Sequence, residues 1–179
     1  MAATRRAGRR LLGQRVVSGV FVSVGSMMPF DRLVQAMDEW AAAHPQVPVE
    51  IQIGRGKYEP RHAKFVRLMP VADYRQRVAD ARLFVAHAGM GSIIAAIEAG
   101  KPLLMLPRLQ AQGEHNTDHQ LATAASIGAR PGLHVASDAA DLQARATALL
   151  VDAGAAPAPI SRFADPAFTA RIRAFIEAP

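Results

Sequence analysis

No cysteine occurs in the chain. Disulfides and thiolate zinc sites are thereby excluded, which fits a reducing compartment. No stretch reaches the roughly 18 apolar residues of a membrane span. A Walker phosphate loop, an internal repeat and a long low-complexity segment are absent too. Acids are missing from the first fifteen positions, where Arg5, Arg6, Arg9, Arg10 and Arg15 stand. Without those five the formal charge falls from +6 to +1, so the basic character belongs to one end and not to the body. Residues 1–18 are read as a basic flexible tail. Contact with anionic lipid or nucleic acid is the rival use, and no nucleic-acid partner is expected. The arginines followed by an apolar run imitate a twin-arginine signal. That run is short, carries Gly and Ser, lacks a small-x-small cleavage site and is needed as the first strand.

What is present fits one globular domain: 179 residues, half hydrophobic and a fifth charged. Strands are predicted at 19–25, 47–54, 64–69, 82–89 and 102–107, as β-branched or apolar runs bounded by glycine or proline. Helices are predicted at 29–44, 72–81, 91–100, 114–128 and 137–154, with a last one in 165–179. Pro29 suits a first turn, and Gly100 followed by Pro102 marks a stop. Strand and helix alternate, which predicts an α/β fold, a doubly wound parallel sheet of the Rossmann kind. Residues 19–153 form the domain in this reading, and 154–179 a linker and C-terminal helix.

In such sheets ligands bind beyond the carboxyl ends of the strands. The unusual chemistry of the sequence collects in the loops expected there. "HAGMGS" (87–92) joins a strand to a helix, and Gly89 and Gly91 let amides converge at the helix start, as phosphate sites require. A glycine turn made for tight packing is the plain alternative. "GSMMPF" (25–30) offers Gly25 and Ser26 at a second such junction, with an ordinary serine-capped turn as its alternative. The pair Met27 and Met28, like Trp40, is read as core. "GRGKYEP" (54–60) reads as a loop that flexes over a substrate or simply as surface. "GEHNTDHQ" (113–120) sets His115 and His119 four apart with Asp118 between them. That spacing is near an inverted zincin, but the acid is wrong and a third ligand is missing. A polar helix start is the better reading, with Glu114 and Asp118 taking hydroxyls and His115, His119 and Gln120 donating to oxygens.

Together, "VFVSVGSMMPFDRLV", "IQIGRGKYEP", "ADARLFVAHAGMGSIIAAIEAGKPLLMLPR" and "GEHNTDHQLATA" resemble the C-terminal, donor-binding half of glycosyltransferase family 28. The resemblance covers roughly residues 20 to 128 in order. Within that family it resembles the small subunit of the two-chain N-acetylglucosaminyltransferase and small bacterial exopolysaccharide glycosyltransferase subunits. It implies half of a GT-B fold that holds a UDP-sugar, with no cofactor and no metal. It places His87, Ala88, Gly89, Met90, Gly91 and Ser92 around the diphosphate, and Met69, Pro70 and Val71 by the base. Glu114, His115, Asp118, His119 and Gln120 would face the sugar and diphosphate. The general base would lie in the other half of the fold, so no catalytic residue is named. Relatives carry a glutamate for the ribose five residues before the helix-ending glycine; here Ala95 stands there, with Glu98 three later, so ribose recognition differs or falls to Glu114.

The expected activity is inverting hexosyl transfer to a lipid-linked acceptor in polysaccharide or glycolipid synthesis. The expected partner is a membrane-associated acceptor-binding subunit that recruits a cytoplasmic protein to the inner face of the membrane; a homodimer is left open. A non-catalytic nucleotide-sugar module is the rival, with Ala95 as its support. A UDP-sugar epimerase of the same fold needs both domains in one chain.

Overall fold

The computed structural model describes residues 19–152, 154–161 and 163–178. The basic tail of the sequence reading lies outside the described residues. Six strands form one parallel sheet: β1 Val20–Ser23, β2 Val49–Gln52, β3 Lys64–Val66, β4 Leu83–His87, β5 Leu103–Leu106 and β6 Leu133–Val135. Their order across the sheet is β3-β2-β1-β4-β5-β6. The helices are α1 Asp31–Ala43, α2 Val71–Asp80, α3 Met90–Ala99, α4 His119–Ile127, α5 Ala139–Val151 and α6 Pro166–Glu177. This is the doubly wound α/β architecture that the alternation of elements predicts.

The middle strands are apolar along their whole length because both of their faces are covered. Alternation then sorts the side chains into two cores. Val20, Val22, Leu83, Val85, Leu104 and Leu106 face α1 and α5. Phe21, Phe84, Ala86, Leu103 and Met105 face α2, α3 and α4. Helix α1 buries Leu33, Val34, Met37 and Trp40 at helical spacing. Trp40 also donates from Nε1 to Thr147 Oγ1 at 2.9 Å, fastening α1 to α5. On the other face Phe21 stacks on Phe84 with ring centroids 5.7 Å apart.

Several boundaries differ from the sequence reading. The predicted helix 114–128 starts only at His119. Residues 114–118 are instead held as a loop, because the Glu114 and Asp118 carboxylates accept the backbone amides of Leu109 and Gln110 (2.9 and 2.8 Å). Strand β6, "LHV", was not predicted: its three residues follow the turn "RPG" and belong to no alternating run. Pro29 precedes the N-cap Phe30 and is not in the first turn. The loop 54–63 is anchored. The buried Asp38 carboxylate accepts Tyr58 Oη and the amides of Arg61, His62 and Ala63 at 2.7–2.9 Å. Asp31 accepts the amide of Lys57. Nothing in this bonding suits a flap over a substrate.

The strand order reverses between β1 and β4, whose carboxyl ends at Ser23 and Ala86 are in register. Connections leaving neighbouring strands in opposite directions open a crevice at such a point. The loops 24–30 and 87–92 border it.

Candidate functional site

A cleft of about 690 Å³ occupies that crevice. Its walls come from the ends of five strands, with Gln52 closing β2. The β1 loop contributes Gly25, Ser26, Met27 and Met28; β3 is followed by Met69 and Val71; β4 leads to His87, Gly89, Gly91 and Ser92; and the segment after β5 brings Arg108, His115, Asn116, His119 and Gln120. Another hollow, about 520 Å³, lies at the opposite end of the sheet against Gly19 and Val20. Its charged Arg77 and Glu50 are spent on each other (2.7 Å).

The glycines of "HAGMGS" turn out to serve two different ends. A side chain at Gly89 would overlap Nε2 of His87. One at Gly25 would lie 2.7 Å from Cε1 of the same ring, and Gly25 also has φ +80°, which L side chains rarely adopt. These two glycines therefore make room for the His87 imidazole. Gly91 meets nothing within 4 Å and lines the cleft. Gly89 is the N-cap of α3 and has no side chain to bond the first amides of the helix. Those amides lie at the positive end of the dipole of a ten-residue helix.

His87 is neutral at physiological pH. Burial pushes its pKa down to about 4, and the Arg108 charge adds to the effect. Its Nδ1 is buried without a hydrogen-bond partner. His115 and His119 meet edge to face with ring centroids 4.4 Å apart. Burial, His119 and Arg108 lower the pKa of His115. His119 Nδ1 shares a hydrogen bond with Thr117 Oγ1 (2.9 Å). Beneath the cleft, Ser23 Oγ donates to Gln52 Oε1 at 2.6 Å and accepts the amide of Gly25. Tyr74 closes the cleft from α2 and meets Phe21 and Phe84 edge-on.

Eleven residues named from the sequence line the cleft: Gly25, Ser26, Met69, Val71, His87, Gly89, Gly91, Ser92, His115, His119 and Gln120. Ala88 is buried in the core facing α2 and α3, and Met90 is exposed beside the cleft. Glu114 is turned elsewhere. Arg32 grips it with two bonds of 2.8 Å, Nε to Oε1 and Nη2 to Oε2, while Oε2 also accepts the Leu109 amide. The carboxylate offered as a substitute for the missing ribose ligand is thus committed to protein. Asp118 Oδ1 likewise accepts the Gln110 amide. Met27 and Met28, read as core, line the cleft, and Met27 is 82% exposed. Arg108, Asn116, Gln52 and Tyr74 were not foreseen. A basic residue directly after a buried strand was the available signal for Arg108. Among the described residues no group of three or more His, Asp or Glu side chains could hold a metal ion, and no helix is long and apolar enough to cross a membrane.

Comparisons with known proteins agree with this fold. The model of the glycosyltransferase family 28 C-terminal domain matches residues 19–153. UDP-glucuronosyltransferase 3A1 of Bos taurus is 34% identical over an alignment of 108 residues that covers 54% of this chain and 20% of that relative. Among solved structures, the glycotransferase of kitacinnamycin superposes with TM-score 0.60 at 21% identity, over 84% of this chain and 40% of that one. Os79 from O. sativa, in complex with UDP, gives 0.56 at 16% identity, over 80% and 33%. The solution structure of ALG13 gives 0.54 at 18% identity, over 85% of this chain and 93% of that one. At these identities the structures share a fold. The chain spans about 40% of the kitacinnamycin enzyme and a third of Os79.

Proposed function

Because the chain belongs to glycosyltransferase family 28 through its C-terminal domain, we propose that it is the donor-binding part of an inverting glycosyltransferase. The donor is a UDP-sugar. The observation that carries this reading is the cleft at the strand reversal, where the uncapped start of α3 and the buried Arg108 set positive charge beside glycine-lined space. That arrangement suits a diphosphate. The apolar wall of Met69, Val71 and Tyr74 suits a flat base, and His115, Asn116, His119 and Gln120 offer donors and acceptors for sugar hydroxyls. Os79, solved with UDP, shares the fold.

In the proposed reaction an acceptor hydroxyl oxygen bonds to the anomeric carbon as the bond from that carbon to the diphosphate oxygen breaks. A general base on the acceptor side takes the hydroxyl proton, and UDP leaves. This chain holds the donor and stabilises the charge growing on the departing diphosphate. The acceptor is proposed to be lipid-linked, held by a membrane-associated subunit that brings the protein to the inner face of the membrane. Support for a covering partner comes from exposed apolar side chains. Met27, Leu68, Val71 and Met90 are 55–82% exposed around the cleft. Phe168, Ile172, Phe175 and Ile176 share one face of α6 and are 45–83% exposed.

The test is transfer of radiolabelled sugar from a UDP-sugar into solvent-extractable lipid by membranes supplied with the purified chain. Incorporation that depends on the chain is expected. Incorporation that ignores it would refute the reading. A second reading, a nucleotide-sugar module without transfer, is favoured by Ala95 together with the capture of Glu114 by Arg32. Tight UDP binding with no transfer under any acceptor condition would select it.

A further inference from the structure

Arg108 leaves the end of β5 and is only 3% exposed. Its Nη2 donates to the carbonyls of Val24 at 2.7 Å and Met28 at 2.6 Å, both in the β1–α1 loop. The guanidinium lies 5.2 Å from the centroid of the Phe30 ring, and the backbone amide donates to Gln120 Oε1 at 3.1 Å. Among the described residues no carboxylate pairs with it. Glu114, the acid that acts on it through space, is held by Arg32. Nε is buried with no acceptor, and the side chain lines the cleft.

A buried cation without a counter-charge is costly unless something completes it. Two carbonyl dipoles and an aromatic face offset part of that cost. They leave a full positive charge at the cleft wall, next to the neutral His87. We propose that Arg108 is a charge-complementing and positioning residue of the donor site: it fastens loop 24–28 at the cleft and supplies a fixed positive charge that a diphosphate completes. The inference rests on the reading of the cleft as a nucleotide-sugar site and adds a residue to it. One planar group does both tasks, so anion binding and loop order are coupled. Lysine keeps the charge, but its one nitrogen cannot hold both carbonyls and still supply the separate Nε and Nη1 donors that the guanidinium keeps beside Nη2.

The experiment compares UDP with uridine by NMR titration of the full chain, as wild type, R108K and R108M. The wild type is expected to bind UDP more tightly than uridine. R108M is expected to lose roughly 10- to 100-fold in UDP affinity, the worth of one fixed charge near an anion in a partly buried site, with uridine changed by about twofold or less. R108K is expected to recover part of the loss. Hydrogen exchange at the amides of 25–28 is expected to slow with UDP in the wild type and less in R108K. A purely structural arginine would weaken both ligands alike. An unchanged ratio of UDP to uridine affinity in R108M overturns the proposal and leaves the donor reading standing. Should R108M not fold, R108K with full UDP affinity and wild-type exchange overturns it equally. A wild type that binds neither ligand overturns the donor reading itself, and this proposal with it.

Discussion

The imidazole of His87 occupies the space that a side chain at Gly25 would need, with Cε1 only 2.7 Å from where a Cβ would stand. Two strand ends thus meet around one ring, and the glycines of two separate loops share a single cause.

The two kinds of glycine should part on mutation. Gly25→Ala is expected to cost about 1–3 kcal/mol, from the clash with His87 and the positive φ. Gly91→Ala is expected to leave stability unchanged or raise it by up to about 1 kcal/mol, because Gly91 faces open space in the first turn of α3. Urea unfolding of both variants checks this, and equal losses would contradict it.

His87 should make the fold sensitive to acid. Its pKa is about 4 in the folded chain against 6.5 for an unperturbed histidine. Between those values the unfolded chain takes up a proton that the fold refuses. Stability from this group is therefore complete above pH 6.5 and falls as pH drops toward 4, by up to about 3 kcal/mol. His115 and His134, also lowered by burial, act in the same direction. Urea midpoints at several pH values should show a smaller slope in His87→Gln than in the wild type; parallel slopes would sink the assignment.

Arg32 and Glu114 should prove coupled in stability, not in donor binding. Their two 2.8 Å bonds tie α1 to the segment after β5. A double-mutant cycle with Arg32→Ala and Glu114→Ala is expected to give a coupling of about 1–3 kcal/mol, as both side chains are largely buried. A coupling near zero would show that the pair is incidental.

Asp38→Asn should loosen the loop 54–63. One carboxylate there takes four hydrogen bonds, and the amide leaves part of that set facing a donor. Burial opposes the charge, but the amides of Arg61, His62 and Ala63 and the Tyr58 hydroxyl together hold the pKa below 3.8. The expected cost is about 2–3 kcal/mol. Faster hydrogen exchange confined to 54–63 would accompany it, and unchanged exchange would contradict the anchoring role.

The fold was readable because its strands are short apolar runs closed by glycine or proline, and α1 carries its buried residues at helical spacing. Strand β6 escaped because its three residues follow the turn "RPG" with no alternating run around them, whereas the equally short β3 lies in the alternating "KFVRLM". The helix start at His119 escaped because Glu114 is held by Arg32, 82 positions away in the chain, a contact that no local pattern records. Sequence reading brought "HAGMGS" to the right strand end but left open what its glycines faced. The answer, His87 for Gly89 and open space for Gly91, needed three dimensions. Arg108 went unseen for a similar reason: its carbonyl partners lie 84 and 80 residues before it.

The most direct test of the central claim is a thermal-shift titration of the full chain with UDP, GDP, UDP-GlcNAc, UDP-glucose and UDP-glucuronate. A donor-binding domain should be stabilised by uridine nucleotides, by roughly 2.7 kcal/mol at a hundred times Kd, with a weaker response to GDP. His119→Ala, which alters an exposed side chain of the cleft wall, should reduce the response. A melting temperature unmoved by every nucleotide would contradict the account.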